Sequence, residues 1–151
     1  MKAEAVIRKA QPGDVAAMVR LEQLFPTDRM SAATVRRFLR VDSATVWVAT
    51  LADVIVGSLV LLTRRNTSTA RIYSVVVSPE ARGQGLAQQL VSVAEKHARK
   101  HKSCIALEVR GDNRAARALY RKLGYLETKM LPGFYEDGAD GLRLIKPLKT
   151  A

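Results

Sequence analysis

The chain has 151 residues, of which 48% are apolar and 26% are charged, a balance typical of a soluble globular protein rather than a disordered one. Domains cluster at about 100–150 residues, so the length predicts a single domain over residues 1–151. The single cysteine, Cys104, excludes an internal disulfide and a cysteine-based zinc cluster. The apolar runs are far shorter than the roughly 20 residues that span a bilayer, and the first residues lack the apolar core of a signal peptide, so a cytoplasmic location is expected.

The net charge is +11, from 25 basic and 14 acidic side chains. Such a charge favours polyanionic partners, such as nucleic acid, a ribosome surface or a phosphorylated cofactor. The alternative is a solvated basic surface that aids solubility. Residues 96–122 carry nine Lys/Arg and two acids, but they lack the aromatic platform of single-strand RNA binders. Docking on RNA or the ribosome through this face is therefore kept as an accessory hypothesis.

Hydrophobic periodicity predicts an alternation of strands and helices. In chain order these are a strand over 5–9, a helix from 15 that is closed by Pro26, a helix capped by Ser31, strands over 45–51, 54–63 and 70–77, a helix over 85–100, a strand over 103–109, a helix over 113–123, and strands over 125–131 and 142–148. The strand over 70–77, the next helix and the next strand are expected to form a βαβ crossover. The order predicts an α/β domain with a mixed sheet of about seven strands and about four helices.

A glycine-bearing turn joins the strand over 70–77 to the helix that follows it. Gly83 and Gly85 allow a positive φ and let a ligand approach the backbone closely. The free N–H groups and the dipole at the start of that helix suit a pyrophosphate. The turn lacks the Lys-Ser/Thr ending of the Walker loop, and Gln88 replaces the third glycine of a dinucleotide fingerprint. The alternative is a tight turn that binds no ligand.

Two segments resemble the signatures of one superfamily. Residues 82–87, Arg-Gly-Gln-Gly-Leu-Ala, resemble the Arg/Gln-x-x-Gly-x-Gly/Ala signature of the GNAT N-acetyltransferases, and residues 113–125 resemble their Asn-x-x-Ala-x-x-x-Tyr-x-x-x-Gly-Phe/Tyr block. The Leu-Glu-Val-Arg string at 107–110 is similar to that of the bacterial ribosomal-protein N-terminal alanine acetyltransferase group. The resemblance implies the single-domain GNAT fold, in which a splayed pair of parallel strands binds the cofactor.

The resemblance also implies acetyl-CoA as cosubstrate and no metal. The pantetheine arm would lie along residues 75–77, and the pyrophosphate would lie on the backbone of residues 83–88. The cofactor-binding residues that it implies are Val75, Val76, Val77, Arg82, Gly83, Gln84, Gly85, Leu86, Ala87, Gln88 and Asn113. His97 and His101, four residues apart on one predicted helix, lack a supporting carboxylate and are not expected to bind a metal.

Two residues are predicted to carry the chemistry. Glu108, in an apolar strand, is the expected base for the attacking amine, and Tyr120 is the expected acid for the departing thiolate. The same resemblance assigns both roles, with the same 12-residue spacing. The alternatives are a salt bridge between Glu108 and Arg110 or another basic neighbour, and core packing for Tyr120. A backbone N–H near Val76 or Val77 is the expected oxyanion donor.

The segment 132–144 resembles a hairpin that lines the peptide groove of N-terminal acetyltransferases. Phe134, Tyr135 and Asp137 are therefore predicted to bind the acceptor, and Asp137 with Glu136 and Asp140 would favour a cationic amine or a basic peptide. The alternative is a polar hairpin turn.

The acceptor amine is predicted from the cost of deprotonation. At pH 7 this costs about 1.4 kcal/mol for an α-amine and about 4.6 kcal/mol for lysine, which favours a protein N-terminus. The alternatives are a small-amine or lysine acetyltransferase and, more remotely, a CoA- or RNA-binding module without catalysis.

Overall fold

The computed structural model describes residues 4–149, which form one seven-stranded sheet and four α-helices. The strands are β1 (Ala5–Lys9), β2 (Ala44–Leu51), β3 (Val54–Leu62), β4 (Thr69–Val77), β5 (Cys104–Arg110), β6 (Leu126–Leu131) and β7 (Gly141–Pro147), and the helices are α1 (Val15–Glu22), α2 (Ala32–Arg40), α3 (Leu86–Ala98) and α4 (Arg114–Lys122). The predicted α/β class and element order are confirmed. No helix of residues 4–149 is long and apolar enough to cross a membrane.

The end of α1 differs from the prediction. The helix ends at Glu22 rather than at Pro26. The backbone N–H of Met30 donates to the Glu22 carboxylate at 2.7 Å, so the chain leaves the helix early and folds back over its last turn. The next helix starts as expected, because the Ser31 hydroxyl accepts the N–H of Thr34 as an N-cap.

The sheet order is β1-β2-β3-β4-β5-β7-β6. Within residues 4–149 only β4 and β5 pair in parallel, and α3 crosses between them, which confirms the predicted crossover. One large apolar core lies between the sheet and α3 with α4, centred on Leu90, Ile105 and Tyr125. A smaller core lies on the opposite face under α1 and α2, around Met18 and Val35. The central strands are therefore covered on both faces.

The two parallel strands separate partway along their length. Their pairing stops at Ile72 and Leu107, although β4 continues to Val77 and β5 to Arg110. The register of β3 against β4 shifts at Tyr73, and such a bulge bends a strand and increases its twist. The sheet therefore opens into a gap between the ends of β4 and β5.

Backbone groups of β4 face this gap. The N–H of Ser78 donates to the carbonyl of Val56 on β3 at 2.7 Å. Because backbone groups alternate along a strand, Val76 also points toward β3, where it is opposite Ser58. The N–H and C=O groups of Val75 and Val77 consequently point into the gap.

Candidate active site

A cavity of about 500 Å³ lies at the gap between β4 and β5. Its walls come from β4, β5, α4, the loop after α1 and the loop between β6 and β7. The structure brings together seven of the predicted site residues in its lining, namely Val75, Val76, Glu108, Asn113, Tyr120, Tyr135 and Asp137. Val77 and residues 82–88 lie outside this lining, and Phe134 lines a smaller adjoining cavity of about 200 Å³.

Tyr120 enters this cavity from α4. Its side chain is 4% exposed, and no group of residues 4–149 hydrogen-bonds its hydroxyl. Burial raises the pKa of Tyr120 well above its usual value, so the phenol is protonated at neutral pH. Its ring meets the edge of the Tyr125 ring at 5.4 Å, and the Tyr125 hydroxyl donates to Glu95 at 2.8 Å. Among the described residues, the Tyr120 hydroxyl therefore has no hydrogen-bond partner, whereas the hydroxyl of the adjacent Tyr125 has one.

Glu108 is held by two arginines. Its Oε1 accepts from Nε and Nη2 of Arg71 at 2.9 and 2.6 Å, and its Oε2 accepts from Nε of Arg143 at 3.1 Å. The carboxylate side chain is only 6% exposed. This is the salt bridge that the sequence left open, but the partner is not Arg110, which forks onto Asp137 at 3.2 and 2.7 Å.

Sequence reasoning missed Arg71 and Arg143. Each is a charged residue in a largely apolar strand, as Glu108 is, and this shared feature was the available signal. The contact also needs the pairing register, which places Arg143 opposite Glu108 and Arg71 opposite Ala106.

A second carboxylate, Glu22, also lines the cavity. It is 4% exposed, and its Oε2 has no hydrogen-bond partner among residues 4–149. Burial raises its pKa, although the N–H of Met30 opposes this shift. No sequence pattern marks this residue, because it directly follows the apolar stripe of α1.

The start of α3 forms an open cradle. Gly83 and Gly85 have φ of 82° and 76°, and a Cβ at either would meet no atom within 4 Å. The Arg82 guanidinium lies 5.9 Å from the centre of the Phe25 ring, and Phe25 lines the cavity. On the other side of the gap, the side-chain Oδ1 of Asn113 caps α4 by accepting the N–H of Ala116 at 3.0 Å. This cap leaves the Asn113 amide NH₂ as a donor at the cavity.

The loop between β6 and β7 covers the outer side of the cavity. The rings of Phe134 and Tyr135 meet edge to face at 5.0 Å, and the Arg110 guanidinium lies 5.3 Å from the Tyr135 ring centre. Burial is the main cause that raises the pKa of Tyr135 to about 12.

The acids of this loop do not form a free cluster. Asp137 is paired with Arg110, and Asp140 accepts the N–H of Gly133 at 3.0 Å. The backbone N–H of Glu136 donates to Asp28 at 3.3 Å. Two of the three carboxylates, those of Asp137 and Asp140, are therefore already engaged, so the loop gives no support to the expected preference for a cationic acceptor.

The basic stretch 96–122 is partly neutralised within the chain. Arg117 and Arg121 pair with Glu127, and Arg110 pairs with Asp137. The Lys102 ammonium donates to the carbonyls of Arg64 and Thr67 at 2.6 Å each. These contacts lend no support to docking on RNA or the ribosome.

His97 packs against the protein interior. Its ring meets Trp47 edge to face at 5.4 Å and lies 3.4 Å from the Thr45 hydroxyl. Burial is the main cause that lowers its pKa, and nearby cations add to the shift. The contacts with Trp47 and Thr45 show that His97 packs against the core.

Known proteins resemble this chain, two of them over nearly its whole length and one over half of it. An uncharacterized N-acetyltransferase of Methanocaldococcus jannaschii is 30% identical over 148 residues, which are 97% of this chain and 94% of that protein. An N-alpha-acetyltransferase of Saccharolobus solfataricus is 37% identical over 79 residues, which are 51% of this chain and 47% of that protein. The crystal structure of the ribosomal-protein-S18-alanine N-acetyltransferase from Escherichia coli superposes with a TM-score of 0.87 at 23% identity and covers 98% of this chain and 96% of its own.

A family model identifies the family of this chain. The model of the acetyltransferase (GNAT) family matches residues 14–125, which include the cradle at the start of α3, both strands at the gap, and α4. Members of this family use acetyl-CoA. With this match and the full-length N-acetyltransferase relative, the chain belongs to the GNAT acetyltransferase family and is an N-acetyltransferase.

Proposed function

We propose that this enzyme, acting as one domain over residues 1–151, transfers an acetyl group from acetyl-CoA to the N-terminal α-amine of a protein or peptide in the cytoplasm. The observation that carries the proposal is that Tyr120 and Glu108 line one cavity at the opening of the sheet. The N-alpha-acetyltransferase that shares 37% identity over half of this chain supports the acceptor class. The similarity of residues 107–110 to the ribosomal-protein acetyltransferases places ribosomal N-termini among the acceptors to be tested.

The gap fits the pantetheine arm of acetyl-CoA. The N–H and C=O groups of Val75 and Val77 point into it and are available to an extended, amide-bearing ligand, which would bind in the manner of an added strand. The Asn113 amide offers a further donor. The pyrophosphate would lie on the N–H groups of the first turn of α3, where Gly83 and Gly85 leave open space.

The same alternation selects the oxyanion donor. Val76 directs its N–H toward Ser58, whereas Val75 and Val77 direct theirs into the gap. We assign the donor to Val75, because its N–H is free before the reaction starts and because Val75, unlike Val77, lines the cavity with Glu108 and Tyr120.

In the proposed reaction the neutral amine attacks the thioester carbonyl, the new C–N bond forms, and the C–S bond breaks. The Tyr120 hydroxyl donates a hydrogen bond to the departing thiolate sulfur. Glu108 accepts the proton that the amine loses. A carboxylate has about four acceptor sites, and the two arginines occupy three of them, so one lone pair on Oε2 remains for the amine.

The cost of deprotonation favours an α-amine. At pH 7 an α-amine loses its proton for about 1.4 kcal/mol, against about 4.6 kcal/mol for lysine. Glu108 already accepts three hydrogen bonds, so it has only one position from which to assist. The acceptor that needs least assistance therefore fits the site best.

Thiol release from acetyl-CoA tests the acceptor. The panel contains peptides with a free N-terminus, the same peptides with a blocked N-terminus and an internal lysine, and polyamines. We expect turnover with free N-termini alone. Turnover with blocked peptides or polyamines would instead identify a lysine or small-amine acetyltransferase, and acetyl-CoA binding without any turnover would identify a binding module.

A further inference from the structure

A basic trough runs from the active-site cavity along the face of the sheet that carries Glu108. Its volume is about 340 Å³, and Arg64, Arg71 and Arg143 line it together with Glu108. The smaller cavity of about 200 Å³ shares Arg71 and Glu108 with this trough and shares Tyr73 and Tyr135 with the active-site cavity. The three spaces therefore form one path along β4 and β5.

The trough carries more positive than negative charge. The single negative charge of Glu108 balances only one of the three arginine charges in the lining. All three hydrogen bonds that Glu108 accepts come from Arg71 and Arg143. Arg143 uses only its Nε in this contact, and its two terminal nitrogens have no hydrogen-bond partner among residues 4–149. The Arg143 side chain is 38% exposed. A guanidinium edge with two free N–H₂ groups matches the two oxygens of a carboxylate.

Hydrogen bonds to the backbone hold the loop that carries Arg64. The buried Lys102 ammonium donates to the carbonyls of Arg64 and Thr67, so it fixes the loop that carries Arg64. The exposed Arg64 side chain lines the trough, whereas the next residue, Arg65, does not. The Arg64 side chain and the free edge of the Arg143 guanidinium consequently face the same space.

We propose that this trough is a binding subsite for an acidic side chain at the second or third residue of the acceptor peptide, and this inference rests on the proposed N-terminal acetyltransferase function. The trough begins at Glu108, the proposed base, where Arg71 and Arg143 both bind the carboxylate, and it continues to Arg64. A peptide that places its α-amine at Glu108 and extends along the trough therefore brings the side chain of its second or third residue beside Arg143 and Arg64.

The test compares short peptides with a free N-terminus that carry Glu, Gln or Lys at the second or third position. We expect wild-type kcat/KM to be about tenfold higher for Glu than for Gln at one of these positions, lowest for Lys, and less selective at high salt. The Arg64→Gln variant should reduce the Glu-to-Gln ratio severalfold with little change for the Gln peptide. The Arg65→Gln variant is the matched control and should keep the wild-type ratio.

A second variant separates selectivity from catalysis. Arg143→Gln also removes a partner of Glu108, so its absolute rate is expected to fall, but only loss of the subsite collapses the Glu-to-Gln ratio. Glu108→Gln should slow all peptides without abolishing the preference. Equal wild-type turnover of the Glu and Gln peptides, or a preference for Lys, overturns the subsite and leaves the proposed function standing. Failure to acetylate any free N-terminus overturns both.

Discussion

Replacing Tyr120 by phenylalanine removes one hydroxyl and leaves the packing of a fully buried ring intact. No group of residues 4–149 hydrogen-bonds this hydroxyl, so stability should not fall. A hydrogen bond to a charged group contributes about 1.5–3 kcal/mol, and at 1.36 kcal/mol per factor of ten its loss at the departing thiolate lowers kcat about 10- to 150-fold. Acetyl-CoA affinity should be nearly unchanged.

Tyr125→Phe is the matched control, because the two rings are in contact and both are buried. Its hydroxyl donates to the Glu95 carboxylate at 2.8 Å, and Tyr125 does not line the active-site cavity. This variant should lose about 1.5–3 kcal/mol of unfolding free energy and keep its kcat. Thiol-release kinetics and urea unfolding measure both quantities. A wild-type kcat for Tyr120→Phe, or an equal loss of stability in the two variants, would refute the assignment of Tyr120 as the thiolate donor.

Three further substitutions probe the cradle and the buried titrating groups. Gly85→Glu places a negative charge where a phosphate would bind, so calorimetry should show acetyl-CoA binding weakened at least about tenfold. Gly138→Glu is the control, because Gly138 also has a positive φ and open space around it, and this variant should keep the wild-type affinity. Equal weakening in the two variants would argue against the cradle. Because the folded-state pKa of His97 is lowered, the free energy of unfolding should fall as the pH drops below about 6.5. Urea unfolding should show a smaller fall for His97→Gln than for the wild type, whereas the exposed His101→Gln should behave as the wild type does. Because burial raises the pKa of Glu22, its ionisation lowers the free energy of unfolding as the pH rises. Glu22→Gln should therefore be more stable than the wild type at pH 7 and equally stable near pH 4, and a pH-independent difference would contradict this.

The fold was predictable because its local signals agree with its long-range pairing. The run Val75–Val77, the glycine turn and the apolar stripe of α3 each predict their own element, and together they predict the parallel crossover. The end of α1 was not predictable from Pro26, because the chain leaves the helix at Glu22 and folds back until the Met30 N–H reaches the Glu22 carboxylate. A local pattern carries no information about such a contact.

The candidate site residues that belong to a sequence motif were predictable, whereas those brought together by strand pairing were not. Glu108 and Tyr120 were found and do line one cavity, although their roles remain predictions. Arg71 and Arg143 were missed because they lie 37 and 35 residues from Glu108 in sequence. The expectation that the loop acids attract a cation failed to anticipate the pairing of Asp137 with Arg110 for the same reason.

The opening between β4 and β5 gives the protein an internal reporter of occupancy. Three consecutive amides of one strand differ in environment, because Val76 is turned toward Ser58 while Val75 and Val77 are turned into the gap. In amide hydrogen exchange, the outer two should exchange quickly and the middle one slowly, a pattern that a regular central strand does not give. A ligand seated in the gap would slow the outer two and leave the middle one unchanged, so the exchange of these valines reports whether the sheet is open or filled.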